Sequence, residues 1–266
     1  MSWQRYDLGF RLLSPLHVGA GRVGNLQRTR RYVHGKAMWA ALTARLTRSA
    51  SGRASAADYV RVGAQVKQTF RFGYLFVASE CGKQHWPWEE DFDYRFLSSY
   101  ASTALTADNA GAEMGALHET EFIGNFSRPV ETGGHPEPVH LAGDLWVCDD
   151  GVPGWQDALR SIIMGGERGY GWGRLERTRL AKKELPTEEP LPSPVDGRTL
   201  AHVTACPTSD RVRGPVEALV GWERDNDSGA GVWRVSRHAL CYAPGATVVA
   251  GTRFRIGEDG IWECLT

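Results

Sequence analysis

The residues best suited to chemistry in this sequence lie in a glycine-rich stretch, residues 165–174, which we call the second glycine loop. Five of its first nine residues are glycines, and two arginines and two large aromatic residues stand among them. An arginine fork binds phosphate oxygens in pairs, and an aromatic ring offers a face on which an unpaired base can stack. The stretch lacks the Gly-Lys-Ser/Thr ending of a P-loop. Its candidate RNA-binding residues are Gly165, Gly166, Arg168, Gly169, Tyr170, Gly171, Trp172, Gly173 and Arg174.

A similar stretch, residues 19–35, follows a predicted strand, and we call it the first glycine loop. Gly19 to Gly24 matches the G-x-G-x-x-G pattern of dinucleotide-binding turns. Dinucleotide binding also requires a helix directly after the glycines and an acidic residue about 20 positions further on. Here no apolar helical stripe follows, and no Asp or Glu occurs between Gly24 and Asp58. The composition instead favours binding of an RNA strand, although a surface turn with solvated arginines has the same composition. The candidate residues here are His17, Gly19, Gly21, Arg22, Arg28, Arg30, Arg31, Tyr32, His34 and Lys36.

Charge is distributed unevenly along the chain, although 31 basic and 31 acidic residues cancel overall. Residues 1–79 contain thirteen Lys or Arg and only two acidic residues, whereas residues 80–157 contain three basic and fifteen acidic residues. Pairing of the two blocks in the folded protein explains this pattern in part. A basic block that faces a polyanion explains it more specifically, because carboxylates would repel a phosphate backbone.

The elements that must position these loops follow from hydrophobic periodicity. We predict an α+β fold in which a ferredoxin-like (RRM-like) βαββαβ unit carries a β-rich C-terminal extension or a degenerate second unit. The unit's strands and helices are expected at 6–18, 36–48, 70–78, 139–147, 155–164 and 175–180. The predicted domains are residues 1–183, with an irregular acidic insertion around 80–135, a Pro-rich linker at 184–198 and a β-rich subdomain at 199–266.

Two further features bear on the location of the protein. The apolar runs are too short to span a bilayer, and the polar and apolar alternation of the first ten residues does not predict a signal peptide. The cysteines form an odd set without a C-x-x-C pair, which favours reduced thiols in the cytoplasm. These cysteines are Cys81, Cys148, Cys206, Cys241 and Cys264.

Three segments together resemble the RAMP superfamily of CRISPR-associated proteins. Residues 13–21 (Leu-Ser-Pro-Leu-His-Val-Gly-Ala-Gly) are similar to the family's Ser-Pro-Leu-His-Ile-Gly-Ser-Gly element. Residues 31–42 are similar to its Tyr-Ile-Pro-Gly-Ser-Ser-Leu-Arg-Gly-Ala-Leu element, with His34 in place of Pro and Lys36-Ala37 in place of the serine pair. The second glycine loop resembles the family's G-loop, and the three elements occur in the family's order. Residues 241–246 faintly resemble a late element of type III members near the 5′ handle of the guide.

The resemblance implies RRM-like modules and a type III effector subunit, of the 5′-handle or backbone type, that binds CRISPR RNA in antiviral defence. Its partners would be CRISPR RNA and the other effector subunits, with target RNA contacted indirectly and no membrane. Some backbone subunits of the family cut target RNA with an Asp in the loop before the helix. This loop contains no Asp or Glu, and Asn25 is its nearest polar residue, so we expect that activity to be absent.

Two alternatives remain open. Guide-processing nucleases of the same superfamily cut RNA without metal, and His17, His34 and Tyr32 are the candidates for that chemistry because histidine titrates near neutral pH. The other alternative is a RAMP-like protein-interaction module that docks through the acidic block 80–157 and does not contact RNA. Cys81 and His85 form one possible ligand pair without a second pair at zinc spacing, so we predict neither a metal nor a cofactor.

Overall fold

The computed structural model describes residues 2–50, 53–108, 111–131, 133–204, 210–224 and 233–265. Residues 1–187 contain the elements β1 (Trp3–Leu12), β2 (Gly19–Val23), β3 (Leu26–Thr29), β4 (Tyr32–Val33), α1 (Gly35–Ala50), α2 (Ala56–Thr69), β5 (Phe70–Phe72), β6 (Leu75–Ala78), α3 (Phe92–Phe96), β7 (Leu97–Ser102), β8 (His118–Ile123), β9 (His140–Cys148), α4 (Trp155–Ala158), β10 (Ser161–Ile163) and β11 (Arg174–Thr187). The C-terminal part contains β12 (Val203–Thr204), β13 (Val212–Arg213), β14 (Val216–Arg224), β15 (Trp233–Tyr242), β16 (Thr247–Val248), β17 (Arg253–Ile256) and β18 (Trp262–Leu265).

The main sheet has the strand order β10-β11-β1-β9-β6-β4, and β5 also pairs with β9. Strands β1 and β9 are central and antiparallel, with Phe10 opposite Leu141. Strand β11 lies on the other side of β1, and β5 and β6 lie on the other side of β9. This is the arrangement of a ferredoxin-like unit, so the predicted α+β fold class with a β-rich C-terminal part is confirmed.

The two faces of the main sheet bury different partners. Leu8 and Phe10 of β1 face a core to which α1 contributes Leu42 and α4 contributes Trp155. The opposite face packs Trp146 of β9 against the C-terminal strands. Burial of large apolar side chains on this second face provides most of the driving force that holds the C-terminal part against the unit.

Helix α2 was not predicted from the sequence. It begins with a capping box in which Ser55 and Asp58 bond reciprocally to each other's backbone N–H groups. Gly63 interrupts its apolar pattern, and the structure shows why a small residue is needed there. A Cβ at Gly63 would lie 3.0 Å from the Trp39 ring, whose Nε1–H donates to the Gly63 carbonyl at 2.9 Å.

Residues 80–135, predicted to be irregular, contain α3 and the strands β7 and β8. These strands join the hairpin β2–β3 in a small sheet of order β2-β3-β8-β7. Strand β8 begins with four polar residues and contains a single aliphatic side chain, Ile123, which is why hydrophobic periodicity alone did not indicate a strand. The small sheet is therefore built from the first glycine loop and from residues 80–135, which we call the acidic segment.

Two other boundaries differ from the prediction. Of the helix expected at residues 155–164, only Trp155–Ala158 is helical, because the Ile pair that follows extends β10 along the edge of β11. Strand β11 continues to Thr187, so the first part of the predicted linker pairs with β1. Cys206 lies outside the described residues, as does part of the β-rich tail, and the predicted domain division stays a prediction.

Candidate nucleic-acid interface

The second glycine loop is a tight connection between β10 and β11 that only glycine can form at its closing position. Gly173 has φ of 74°, and a Cβ there would overlap the carbonyl oxygen of Met164. That oxygen is so close because Met164 N–H donates to Gly173 O at 3.0 Å. Between these ends, residues 168–170 form a short 3-10 turn with Tyr170 79% exposed. The base of the loop is therefore fixed while its tip is presented to solvent.

The segment after β1 is bonded directly to this loop. Gly173 N–H donates to Pro15 O at 2.7 Å, and Gly166 N–H donates to His17 O at 2.9 Å. Arg174 N–H donates to Ser14 Oγ at 3.0 Å. The Ser-Pro-Leu-His motif and the second glycine loop, distant in sequence, thus form one structural unit.

His17 is buried in this unit. Its Nδ1 lies 2.7 Å from the carbonyl oxygen of Glu121, which can only accept, so Nδ1 carries the proton. A Cβ at Gly166 would lie 2.9 Å from His17 Cδ2, so the ring packs against the glycine backbone. These contacts make His17 a connector between the second glycine loop and β8.

The first glycine loop is largely a β-hairpin. Strand β2 is exposed along its whole length and forms the edge of the small sheet, with Gly21 and Gly24 at positive φ. Arg22 and Arg28 are exposed, and Arg22 Nε–H donates to Gly24 O at 2.7 Å. Strand β3 continues the sheet by pairing in parallel with β8.

The strand register places one residue from each strand in a row across the small sheet. Arg22 is opposite Gln27, Gln27 is opposite Thr120, and Thr120 is opposite Tyr100. Directly opposite residues share a sheet face. The first glycine loop therefore contributes Arg22 to the same face that carries Tyr100.

A cleft of about 340 Å³ lies between this face and the second glycine loop. Trp172 packs edge-on against Phe122 with ring centroids 4.9 Å apart, and Tyr100 is 61% exposed. Arg168 and Arg174 are exposed in the same loop. We call this the aromatic cleft; it is lined by Pro15, Tyr100, Ser102, His118, Thr120, Phe122, Glu167, Tyr170 and Trp172.

Several residues predicted to bind RNA lie away from the aromatic cleft. Arg30 is largely buried, and its Nη1 lies 3.0 Å from both Tyr32 Oη and Glu217 Oε1. Arg31 forms an ion pair with Asp93 of the acidic segment. Lys36 is partly buried in the first turn of α1, and burial lowers its pKa.

Tyr32 and His34, predicted as stacking or catalytic residues, face the interior instead. Tyr32 stacks on Tyr74 with centroids 5.4 Å apart, and burial raises the pKa of Tyr32 to about 12. Burial, aided by the nearby charge of Arg30, lowers the pKa of His34 to about 3. His34 Nδ1 accepts the N–H of Ala37 at 3.2 Å and so caps α1. Both side chains belong to the junction between the unit and the C-terminal strands.

That junction contains a buried polar network that sequence analysis missed. Tyr74 Oη lies 2.7 Å from Nδ1 of His202, which is 0% exposed, and His202 Nε2 contacts Glu217. The hydrogen bond with His202 is the largest cause lowering the pKa of Glu217 to about 2. Arg30 also belongs to this network, because its guanidinium forms an ion pair with Glu217.

Pairing between the basic and acidic blocks accounts for other charges. Arg5 forms an ion pair with Asp144 at 2.8 Å, and Arg31 does so with Asp93. Arg22, Arg168 and Arg174 remain exposed on the side of the two glycine loops. Part of the basic block is thus neutralised internally.

Sequence analysis also missed the second wall of the aromatic cleft, which comes from β7 and β8. The available signal was the spacing of His118, Thr120 and Phe122 at every second residue, which places them on one strand face. The high acid content of the segment obscured this pattern. The second wall of the aromatic cleft therefore forms only when β7 and β8 join the small sheet.

Neither a metal cluster nor a membrane-spanning helix is found in the described ranges. No three His, Cys, Asp or Glu side chains there are grouped closely enough to hold an ion. Cys81 contacts Ser79, whereas His85 contacts Glu89. No helix among the same residues has the length and hydropathy needed to cross a bilayer.

Comparison with known proteins gives structural likenesses only. No protein-family model matches the chain, and no curated protein does. A chain of the type III-B Cmr-beta complex bound to cognate target RNA is 11% identical with a TM-score of 0.40, covering 66% of this chain and 96% of that one. A chain of the apo complex is 10% identical with a TM-score of 0.38 and the same coverage. A chain of the complex bound to cognate target RNA and AMPPnP is 12% identical with a TM-score of 0.44, covering 93% of this chain and 85% of that one. The function proposed below depends on the geometry of the site.

Proposed function

We propose that this protein is a non-catalytic, CRISPR RNA-binding subunit of a multisubunit effector complex, of type III, in antiviral defence. The observation that carries the proposal is the meeting of the two glycine loops at one face of the small sheet. Arg22 lies at one end of a cross-strand row and Tyr100 at the other. Tyr170 and Trp172 of the second glycine loop line the same cleft as Tyr100. Cations beside exposed aromatic rings are the combination that binds a single-stranded nucleic acid.

The backbone of the loops supports the same function. Gly21 and Gly24 lie in an exposed edge hairpin, and Gly169 and Gly171 lie at the tip of the second glycine loop. No atom lies within 4 Å of the position that a Cβ would occupy at any of the four. An RNA backbone can approach such a surface closely while Arg168 and Arg174 engage its phosphates.

A non-catalytic role is supported by the surroundings of the candidate histidines. His34 has its pKa lowered to about 3 by burial and by Arg30, so it is neutral at pH 7 but faces the α1 N-terminus. His17 is buried between Glu121 and Gly166. A general base must reach the 2′-hydroxyl that it activates, and neither ring is presented to a ligand.

We further propose that the partners are other effector subunits and that target RNA is contacted through the guide. Exposed carboxylates of the acidic segment, such as Glu113 and Glu131, suit a basic neighbouring subunit. Cys81 and Cys148 are free thiols, which fits action in the cytoplasm.

The deciding experiment measures binding of CRISPR repeat RNA by fluorescence anisotropy over a range of salt concentrations. The unmodified protein should bind at low salt with a steep salt dependence. Arg168→Ala/Arg174→Ala should weaken binding and reduce the salt slope by about 0.7 for each phosphate that is no longer neutralised. Arg45→Ala/Arg61→Ala, which removes two exposed arginines of α1 and α2, is the matched control and should leave both unchanged. Absence of binding at low salt would favour a protein-interaction module instead.

A metal-independent endonuclease is the second candidate, and one observation favours testing it. His118 lies in the aromatic cleft with its Nε2 2.8 Å from Ser102 Oγ, so a histidine other than those predicted is near the candidate ligand surface. The protein should leave repeat RNA intact in buffer without divalent metal. Cleavage that disappears in His118→Ala would replace the non-catalytic proposal with the enzymatic one.

A further inference from the structure

We propose that the aromatic cleft is a base-reading pocket: it holds one unpaired nucleobase of the bound RNA and prefers a base that carries an exocyclic amino group. This inference rests on the proposed RNA-binding function and assigns chemistry to residues of β7 and β8 that the sequence did not indicate. The ligand class is a single-stranded polynucleotide, and the feature that is read is the hydrogen-bond pattern of one base edge.

The walls of the cleft suit a flat ring. Tyr100 and Phe122 stand on the small-sheet face, and Tyr170 and Trp172 come from the second glycine loop. Tyr100 is 61% exposed and Tyr170 79% exposed, so two rings are open to a ligand. Trp172 packs edge-on against Phe122, which joins the wall from the second glycine loop to the wall from the small sheet. A pocket of about 340 Å³ lies in the size range of small-ligand sites.

The polar groups in the cleft have fixed hydrogen-bond roles. His118 Nδ1 lies 3.1 Å from the carbonyl oxygen of Ala116, which can only accept, so Nδ1 carries the proton. In the neutral ring Nε2 is then an acceptor, and Ser102 Oγ–H donates to it at 2.8 Å. The Ser102 oxygen keeps its lone pairs for a ligand.

Glu167 supplies a second acceptor. Its φ is 53°, and its carbonyl oxygen accepts the N–H groups of Tyr170 at 2.9 Å and Trp172 at 3.4 Å, so its backbone is held at the start of the 3-10 turn. Glu167 is one of the residues that line the cleft. A carboxylate pairs with an amino group such as cytosine N4, whereas the uracil oxygen at the same position would be repelled.

The surroundings favour RNA over a protein side chain as the occupant. Arg168 and Arg174 are exposed in the same loop, and Arg22 is in the row that ends at Tyr100. Cations beside a stacking site position the phosphates that flank a stacked base. An apolar side chain from a partner would use the rings but not these cations or Glu167.

The test compares labelled oligo(C) and oligo(U) RNAs, which differ at the base edge but match in size and charge. Fluorescence anisotropy should show tighter binding of oligo(C). Tyr100→Ala/Tyr170→Ala should weaken oligo(C) binding about tenfold to a hundredfold without changing the salt slope, because the variant removes stacking and keeps the phosphate contacts. Tyr94→Ala removes another exposed tyrosine, 57% exposed, and serves as the matched control.

Glu167→Gln tests the edge contact separately from stacking. An amide both donates and accepts, so the preference for oligo(C) over oligo(U) should shrink while overall RNA binding persists. Thermal unfolding of each variant checks that the fold is retained.

The outcomes separate this inference from the proposed function. If no variant and no unmodified protein binds either RNA, the proposed function fails and the base-reading pocket fails with it. If both RNAs bind but the tyrosine variant matches the unmodified protein, RNA binding stands and the pocket is overturned. Loss of association with other effector subunits in the tyrosine variant, with RNA binding intact, would overturn it in favour of a protein occupant.

Discussion

Trp172 of the second glycine loop packs edge-on against Phe122 of β8, with ring centroids 4.9 Å apart and ring planes at 69°. This contact joins the loop between β10 and β11 to a segment that the sequence predicted to be irregular. It places the second glycine loop against the sheet face to which the first glycine loop contributes Arg22. The contact is thus the physical link between two motifs that lie far apart in the chain.

Replacing Trp172 tests that link. Trp172→Ala should weaken RNA binding about tenfold or more, because it removes a ring of the aromatic cleft and its contact with Phe122. Trp172→Phe keeps an aromatic ring and should retain most of the affinity. Anisotropy measurements on both variants decide the matter, and equal affinities for Trp172→Ala and the unmodified protein would show that the contact is irrelevant to binding.

Substitution at Gly173 should affect folding of the second glycine loop. Gly173→Ala places a Cβ against Met164 O at a φ of 74°, so the free energy of unfolding should fall by about 2 kcal/mol or more. Gly169→Ala is the matched control in the same loop, since no atom lies within 4 Å of its Cβ position. Urea unfolding of the two variants should differ clearly; similar stabilities would contradict the described geometry.

Arg30 should contribute to stability without contributing to RNA binding. Its guanidinium contacts Tyr32 and Glu217 at 3.0 Å, so Arg30→Ala leaves Glu217 without one of its partners and should destabilise the fold by roughly 1–3 kcal/mol. The salt slope of RNA binding should stay unchanged. A reduced slope in Arg30→Ala, comparable to that of Arg168→Ala/Arg174→Ala, would mean that Arg30 faces the RNA.

Acid should destabilise the protein in part through His34. Burial, followed by the charge of Arg30, lowers its pKa to about 3, whereas an unfolded histidine titrates near 6.5. Between about pH 6.5 and pH 3 the unfolded state therefore binds the proton that the folded state excludes. Stability falls as the pH falls, by at most about 1.4 kcal/mol per pH unit from this residue.

The variant His34→Asn checks the assignment. Asparagine keeps an acceptor for the Ala37 N–H at the start of α1 but does not titrate. Its free energy of unfolding should depend less on pH between 7 and 5 than that of the unmodified protein. An identical pH dependence would assign the effect to other groups, such as His202.

The sequence predicted the main unit well where elements have a clear period. Strands β1 and β9 and helix α1 were found from their apolar spacing, because each buries one face against a large core. Helix α2 and strands β7 and β8 were not found. Gly63 packs against Trp39 and Phe122 of β8 packs against Trp172, and no local pattern contains these contacts.

The sequence by itself determined the turn glycines, the stock of cations and aromatic rings, and the order of the strands and helices with a clear apolar period, because these depend on backbone freedom and short-range periodicity. Only the tertiary structure decided how they are used. It placed Arg30 in a buried network with Glu217 and left Arg168 exposed, although both lie in glycine-rich loops. It also paired β3 with β8, which set Arg22 and Tyr100 in one row. The reason is physical: whether a charge is neutralised or a ring is covered depends on residues distant in the chain, and these become neighbours only when the sheets pack.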